Sequence, residues 1–490
     1  MQQNSKLRLS TAQLFTAIVI LSLFAMAARE VLDADFWWHL ETGNWIVENF
    51  SIPKTDPFSQ TKFGEPWIAH EWLSEVIFYG IFKIGGLGLL SILFSIVITA
   101  SFALSYSRSD GKPYLAGFVT ILGALASAPL WGVRPQMISL LFFSGFLLLL
   151  DKYTRTSNKR YLYFLPVIML LWVNLHAGYM LGPAVILIYI AGSCAEAVVA
   201  VLNKEKPSWT DLKAKVLPEL IILVLCLVAS MANPNGLKIL IYPFQTLSSN
   251  AMMSMIVEWF SPDFHKTEWL PLIALTLLLI ASGLYSKKQS SITEILLACA
   301  FGFGALRSMR NVPLFAIAII PILSYHIDGI VNLKLPITTP TRRQSLLNIF
   351  LLAIAALVVC LRIDSVITNQ KVAEEKAFPA TATNWIKEDL PDGNIFNSYG
   401  WGGYLIWNLY PKYKVFIDGR ADLYGDSFMS TYNSIYYAQT GWKDKLDQAN
   451  IRIVLVEPTA SIASALQNDN NWKVVLQNDK SILLVKTDEK

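Results

Sequence analysis

The chain has 490 residues, 54% hydrophobic and only 16% charged, with a mean hydropathy of +0.43. Soluble globular proteins carry about 25% charged residues, so this composition excludes a soluble enzyme and points to a multi-span membrane protein. The formal net charge of +4 implies no nucleic-acid partner, because Lys and Arg cluster in short loops between apolar runs, as membrane topology requires.

In chain order, apolar runs at 12–32, 87–107, 114–131, 136–151, 161–175, 177–202, 216–232, 269–286, 291–306, 311–327 and 346–364 predict eleven spans. Lys6 and Arg8 precede the first run, and Ala25-Met-Ala27 resembles a signal-peptidase site. The run from Ala12 to Leu32 is long for a signal segment, so an uncleaved first span is expected. Residues 71–84 (EWLSEVIFYGIFKI) are too short and too mixed to span, and are expected as an amphipathic helix at the interface. With the N-terminus inside, the inner loops carry Arg108 and Lys112; Lys152, Arg155, Lys159 and Arg160; Lys204, Lys206, Lys213 and Lys215; Lys287 and Lys288; then Lys334, Arg342 and Arg343. The excess of cations inside is then kept at every turn, and the odd number of spans puts the C-terminus outside. Cys194, Cys226, Cys299 and Cys360 lie within apolar runs without metal-ligand spacing and read as small buried hydrophobes.

After Asp364 the apolar runs shorten to strand length while Pro, Asp, Asn, Lys and Tyr rise. Residues 451–457 (IRIVLVE), 472–477 (WKVVLQ) and 481–486 (SILLVK) read as strands, TATNWIKEDL and GWKDKLDQA as helices. The expected fold class is an α-helical polytopic membrane protein with a C-terminal extracytoplasmic α/β domain. The predicted division is a transmembrane domain over 1–365, with its first outer loop at 33–86, and the α/β domain over 366–490. There is no G-x-G-x-x-G, no P-loop and no internal repeat.

The outer loops carry nearly every unusual polar motif: Asp33-Ala-Asp35 with Trp37, Trp38 and His39; Asp56-Pro-Phe-Ser59; His70-Glu71-Trp72; Arg134-Pro-Gln136; Asn174-Leu-His176; Asn233-Pro-Asn-Gly236; Glu258-Trp259; and Arg307 with Arg310. Eight motifs from distant positions on one face suggest a built site. Asp35, and secondarily Asp33, could be a general base or a divalent-cation ligand; the plainer reading is an interfacial belt of Trp with a flanking Asp. Trp38 and its aromatic neighbours could stack on a sugar. His39, His70 and Glu71 read as hydrogen-bonding partners or ligands. Asp56, before Pro, reads as a turn former. Arg134, Arg307 and Arg310 sit at outer span ends, against the inside excess of cations. They read as bidentate phosphate binders or as side chains snorkelling to headgroups. Asn174 and His176 could bind sugar hydroxyls or phosphate, or cap a helix. Glu258 reads as a second acid/base or metal ligand. In the C-terminal domain Asp418, Arg420 and Asp422 could face an acceptor, with a β-turn salt bridge the alternative.

Asp35-Phe-Trp-Trp-His39 followed by Asp56-Pro-Phe58 resembles the first outer loop of the GT-C superfamily of membrane glycosyltransferases, most nearly the oligosaccharyltransferase catalytic subunit. Tyr399-Gly-Trp-Gly-Gly-Tyr404 and Lys414-Val-Phe-Ile-Asp-Gly-Arg420 are similar to that subunit's Trp-Trp-Asp-Tyr-Gly segment and its downstream Asp-Gly-Gly step. Phe396-Asn-Ser398 stands where the family's acceptor-reading Trp-Trp-Asp begins, and no Asp is present there. The resemblance implies transfer of a sugar from a polyprenyl phosphate or diphosphate carrier to an extracytoplasmic glycan, lipid or protein, with Asp35 in catalysis or holding a divalent cation (Mg or Mn). It also implies Tyr404 in substrate binding, contact with membrane lipid, and residence in a bacterial inner (plasma) membrane. A transporter or lipid-linked glycan flippase, and an O-antigen-type polymerase or ligase, are the alternatives.

Overall fold

A computed structural model describes residues 8–109, 113–249, 252–253, 256–331, 340–389 and 391–487. Lys6, Lys112 and Lys334 of the expected basic loops, and the C-terminal residue, lie outside the described residues. In a hydrocarbon core every backbone N–H and C=O must be satisfied within the chain, so a long apolar run becomes a helix. Each of the eleven predicted spans falls on one. Seven helices among the described residues are long and apolar enough to cross a membrane: Trp72–Arg108, Pro113–Leu130, Gln136–Thr156, Ala177–Leu202, Thr267–Tyr285, Met309–Val331 and Arg342–Ala377. Shorter apolar helices run over Thr11–Ala27 and Arg160–Leu175; Trp209–Ser230 and Ile292–Arg307 account for the other two runs. The chain is an integral, multi-pass membrane protein.

Local sequence sets several boundaries. Ser10 and Gln13 form a reciprocal capping box at the start of Thr11–Ala27, and Ser291 and Glu294 form another before Ile292–Arg307, each satisfying two otherwise orphaned backbone donors. The helical stretch Trp72–Arg108 breaks at Gly85 and Gly86, the latter at φ 61°, ψ −158°, a conformation open to glycine alone at little cost. The segment expected at 71–84 and the span expected at 87–107 are therefore separate helical pieces.

Contacts divide the chain into two compact units. The first gathers Met1–Arg29, Ser91–Leu240 and Val257–Val366. Its most enclosed helix is Val312–Val331, in which every residue from Val312 to Ile320 is buried. Pro113–Ser127, Leu270–Tyr285 and Ile292–Arg307 pack around it. Outward-facing Leu217, Leu220, Ile221 and Val224 of Trp209–Ser230 are exposed in the bare protein; on a membrane helix that face meets lipid, where burial against protein is not needed.

The second unit gathers Glu30–Leu90, Ile241–Ile256 and Ile367–Lys490. It holds a four-stranded sheet of β1 (Asn394–Asn397), β2 (Ile451–Val456), β3 (Trp472–Gln477) and β4 (Ile482–Lys486) in the order β1-β2-β4-β3. β1 pairs parallel to β2, and β4 runs antiparallel to both β2 and β3. The three predicted strands are β2, β3 and β4, and the two predicted helices are Ala380–Asp389 and Trp442–Gln448. β1, only four residues, was not anticipated. Phe396, Phe416, Tyr432, Val454 and Leu484 share its buried core. The helix Phe36–Asn49 packs on Gly402–Leu409, so the segment expected as the first outer loop and the C-terminal segment are one packed body.

Candidate functional site

Asp35 ends the turn that starts the helix Phe36–Asn49. Asp33 Oδ1 accepts from the Asp35 backbone N–H at 3.0 Å, which makes Asp33 the former of that turn. Asp35 is half-buried, and its Oδ1 accepts from Trp38 Nε1 at 3.2 Å. Three glycines give these groups room. A Cβ on Gly419 would overlap Asp35 Oδ1, one on Gly403 would overlap the Ala34 carbonyl and crowd Trp38, and one on Gly402 would overlap the backbone of Ile417 and Asp418. Tyr399 donates to the Gly419 carbonyl at 3.2 Å. Its hydroxyl is pushed well up by burial and then by the negative charges of Asp35, Asp418 and Asp422, so it stays a proton-bearing donor.

Asp418 and Arg420, expected to face an acceptor, are buried. The Arg420 guanidinium donates from Nε to Asp418 Oδ1, from Nη2 to Asp418 Oδ2 and from Nη1 to Asp56 Oδ1, each at 2.7 Å. Tyr424 donates to Asp418 Oδ2 at 2.7 Å. Asp56 also accepts from the backbone N–H of Phe58 and Ser59 and from the Ser59 hydroxyl. The turn expected at Asp56-Pro-Phe is present, but its carboxylate also clamps residues 364 positions away. Arg420 lies over the Trp67 ring at 4.6 Å and the Phe58 ring at 5.3 Å. Tyr404, expected in substrate binding, is buried: its ring stacks on Phe378 at 4.8 Å and its hydroxyl donates to Glu374 at 3.1 Å.

His39, His70 and Glu71 join a buried chain of imidazoles and carboxylates. His39 Nδ1 lies 3.1 Å from Glu75 Oε1 and its Nε2 3.4 Å from Glu71 Oε2; His70 Nε2 lies 3.2 Å from Glu71 Oε1. The His70 ring stands 4.6 Å from that of Tyr242, whose hydroxyl donates to Asp422 Oδ2 at 2.8 Å. Burial alone would lower both imidazoles. For His39 the Glu75 hydrogen bond and the charges of Glu71, Glu75 and Asp35 outweigh it and raise the pKa. For His70 the paired Glu71 carboxylate, with Asp422, pushes it up to about 9. Trp38 lies tilted against His39 with ring centres 3.6 Å apart, so this indole is packed between Asp35 and His39.

In the helical unit, Arg134, Glu258 and Arg310 come together. Arg134 Nη1 is ion-paired with Glu258 Oε1, and its Nη2 donates to the Leu130 carbonyl at 2.8 Å. Arg310 lies 4.7 Å over the Trp259 ring. The Ser308 hydroxyl holds the Glu258 carbonyl at 2.9 Å, and Met309 N–H the Phe260 carbonyl at 2.8 Å. Burial works to raise the Glu258 carboxyl, but Arg134 and then Arg310 hold it below its ordinary value. Expected as a second acid/base, Glu258 stands as a counter-ion to two guanidinium groups. Arg307 is exposed at the end of Ile292–Arg307.

Asn174 and His176 close the end of the helix Arg160–Leu175. His176 Nδ1 accepts from Gly178 N–H at 2.9 Å and pairs with the Ser139 hydroxyl at 2.7 Å, while Trp172 Nε1 donates to Ser139 at 2.6 Å. Asn174 Nδ2 donates to the Leu170 carbonyl at 2.9 Å, and Asn233 Nδ2 donates to Val173 at 3.0 Å and to Asn174 at 3.3 Å. Of the two roles open to this pair, these contacts are those of capping.

Among the described residues, no group of three His, Cys, Asp or Glu side chains is placed to hold a metal ion. The donors around Asp35, an indole N–H and a neighbouring turn-forming carboxylate, are not a metal's ligand set. Sequence reasoning passed over Glu75, Trp67 and Tyr242, and quoted the glycines only within the two stretches of family resemblance. Only Glu75 had a local signal: it lies one helical turn after Glu71, on the same face.

No protein-family model matches this sequence, and no curated protein matches it. Solved structures do. ArnT from Cupriavidus metallidurans bound to undecaprenyl phosphate superposes with a TM-score of 0.52 at 13% identity, covering 96% of this chain and 97% of that one. The apo state of the same protein gives 0.53 at 12%, with the same coverage. Arabinofuranosyltransferase AftD from Mycobacteria gives 0.51 at 13%, covering 99% of this chain and 41% of that one. At these identities the likeness is one of fold, which this chain shares over nearly its whole length with ArnT and with part of AftD.

Proposed function

We propose that this protein is a membrane glycosyltransferase that moves a sugar from a polyprenyl phosphate or diphosphate carrier to an extracytoplasmic glycan, lipid or protein. The observation that carries this reading is the Arg134–Glu258–Arg310 cluster on a fold shared with a protein whose structure holds undecaprenyl phosphate. Two guanidinium groups steadied by one carboxylate match the charge and fork geometry of a phosphate group. Glu258 holds Arg134 in place rather than acting as an acid.

Asp35 is assigned to the acceptor. Its carboxylate takes the proton of the acceptor hydroxyl, the acceptor oxygen bonds to the anomeric carbon, and the bond from that carbon to the carrier's phosphate oxygen breaks. The electron pair leaves with the phosphate of the carrier. Trp38 restrains the Asp35 carboxylate, and Asp33 fixes the turn that presents it. A divalent cation would help neutralise the phosphate, but the donor set around Asp35 does not fit one and no step is routed through it. The basic loops support a plasma-membrane orientation with the C-terminal unit outside the cytoplasm.

The test is binding of undecaprenyl phosphate to the purified protein in detergent, read by native mass spectrometry. Arg134→Ala and Arg310→Ala should each weaken it, and Lys at either position should restore it only in part. No binding by the unaltered protein, or equal binding by both Ala variants, would overturn the assignment.

A further inference from the structure

The helix Lys238–Ser248 divides its circumference between two surroundings. Residues three and four apart share one face of a helix. On one face Ile239 and Tyr242 are buried. Pro243 has no N–H to give the Ile239 carbonyl one turn back, and the Tyr179 hydroxyl supplies that donor at 2.5 Å. The Tyr242 hydroxyl is fixed to Asp422 at 2.8 Å. Leu237, Ile241 and Phe244, spaced four and three apart, form a different face, and they are 63%, 58% and 59% exposed. Lys238 and Gln245 flank this stripe and are exposed too.

The chain leading into the helix identifies what covers the stripe. Leu220 and Val224 of Trp209–Ser230 are exposed on a helix whose outward face meets lipid. The apolar run at 216–232 ends at Asn233-Pro-Asn-Gly236, a polar turn that marks the edge of the hydrocarbon. Asn233 Oδ1 accepts from Asn235 N–H at 3.0 Å and its carbonyl from Gly236 N–H at 2.8 Å, with Gly236 at φ 53°, the left-handed backbone that glycine adopts at little cost. The turn redirects the chain into Lys238–Ser248. That helix has 11 residues, about 16 Å at 1.5 Å per residue, roughly half of the ~30 Å hydrocarbon core. It begins at the boundary and is too short to cross. One arrangement satisfies both facts: the helix lies along the boundary, its apolar stripe among the acyl chains and Lys238 and Gln245 at headgroup level.

We propose that Lys238–Ser248 is an interfacial helix that binds the bilayer surface through Leu237, Ile241 and Phe244. The leaflet is the one that Trp209–Ser230 reaches after the basic Lys204–Lys215 loop. The occupant is bulk membrane lipid, because the stripe continues along the chain from a face that already meets lipid. This contact is independent of the glycosyltransferase reading. The same helix carries Tyr242, so the lipid contact and the Tyr242–Asp422 bond are held by one rigid element.

Nitroxide accessibility in the full-length protein, reconstituted in phosphatidylcholine nanodiscs, tests this. Cys194, Cys226, Cys299 and Cys360 are each replaced by Ala, and single labels are introduced by Ile241→Cys and Phe244→Cys. Val224→Cys on the lipid-facing helix and Lys473→Cys on exposed β3 serve as the lipid and water references. Labels at 241 and 244 should collide more with oxygen, which concentrates among acyl chains, than with a nickel chelate, which stays in water. They should report a depth of about 5–10 Å into the boundary, shallower than the Val224 label. Accessibility like that of the Lys473 label would place the stripe in water and overturn the proposal. Protection from both reagents would show that a second copy or another protein covers the stripe, and would overturn it as well. The two positions report on the stripe separately, so failure of one variant to fold leaves the other to decide.

Discussion

Replacing Arg420 with Met tests whether the Asp56 loop is held to the C-terminal segment by a buried charge network. The guanidinium makes three hydrogen bonds of 2.7 Å to Asp56 and Asp418, and all three side chains are 0–1% exposed. Removing the cation leaves two buried carboxylates without a counter-charge, and breaking such a pair from one side costs about 3–5 kcal/mol. Met keeps most of the packing against Phe58 and Trp67 but loses the cation–π attraction, on the order of 0.5–2 kcal/mol. In a unit of about 200 residues, each kcal/mol moves the melting temperature by ~2–4 °C, so a fall of roughly 7–28 °C is expected. Intrinsic Trp fluorescence during heating in detergent measures it. Arg420→Lys should fall between, because an ammonium cannot serve three fixed acceptors as the planar fork does. Adding Asp56→Asn to Arg420→Met should recover part of the loss by discharging one stranded carboxylate. A melting temperature for Arg420→Met within about 2 °C of the unaltered protein would refute the claim that this guanidinium neutralises the pair.

Asp35→Asn should lower sugar transfer from a labelled polyprenyl-linked donor by at least about 100-fold at matched protein level, the lower end of general-base contributions; unchanged transfer would remove Asp35 from the chemistry. Gly419→Ala places a methyl group on Asp35 Oδ1 and should cost transfer on the order of 100-fold by displacing that carboxylate, whereas Gly400→Ala, with nothing near its Cβ, should leave transfer intact. His70 is raised from 6.5 to about 9 by Glu71 and Asp422 against the effect of burial. Its contribution to stability is therefore complete below about pH 6.5 and disappears as the pH rises through about 9. The melting temperature should fall across that window, and His70→Gln should flatten the fall; a profile indifferent to the substitution would show that the Glu71 pair is not responsible.

What the sequence discloses and what it withholds follows from the range of each interaction. Apolar runs are local statements, and each predicted span is a helix because a hydrocarbon solvent leaves the backbone no alternative. Gly85-Gly86 marks the break in Trp72–Arg108 just as locally. β2, β3 and β4 show enough apolar, β-branched residues to be read, while β1 has four, Asn-Ile-Phe-Asn, and is a strand because Ile451–Val456 lies beside it. Side-chain roles are less accessible. Asp56 before Pro reads as a turn and is one, yet nothing nearby announces a partner at Arg420. Arg134 and Glu258 are 124 positions apart, and in isolation each offers several readings. Paired, they leave Glu258 as a counter-ion, because a carboxylate held below its ordinary pKa by two cations is poorly suited to donate a proton near neutral pH.

The two stretches that resemble the GT-C family meet through their smallest residues. Asp33-Ala-Asp35 and Trp38 can approach the 399–420 region only because Gly403 and Gly419 lack side chains where the Ala34 carbonyl, Trp38 and the Asp35 carboxylate lie, while Gly402 lets its helix meet the backbone of Ile417 and Asp418. A glycine costs conformational entropy on folding, roughly 0.5–1 kcal/mol relative to Ala within regular structure, and Gly402 and Gly403 open a helix where Ala would otherwise be preferred. Stability of that helix alone would favour alanine. Close approach of Asp35 and Trp38 explains the glycines, and it predicts that they and the Asp33–Trp38 turn tolerate substitution only together. The aromatic and glycine letters of Tyr399–Tyr404 therefore describe a docking face for the Asp35 loop, with Tyr404 in the core beneath it, rather than an independent substrate-reading motif.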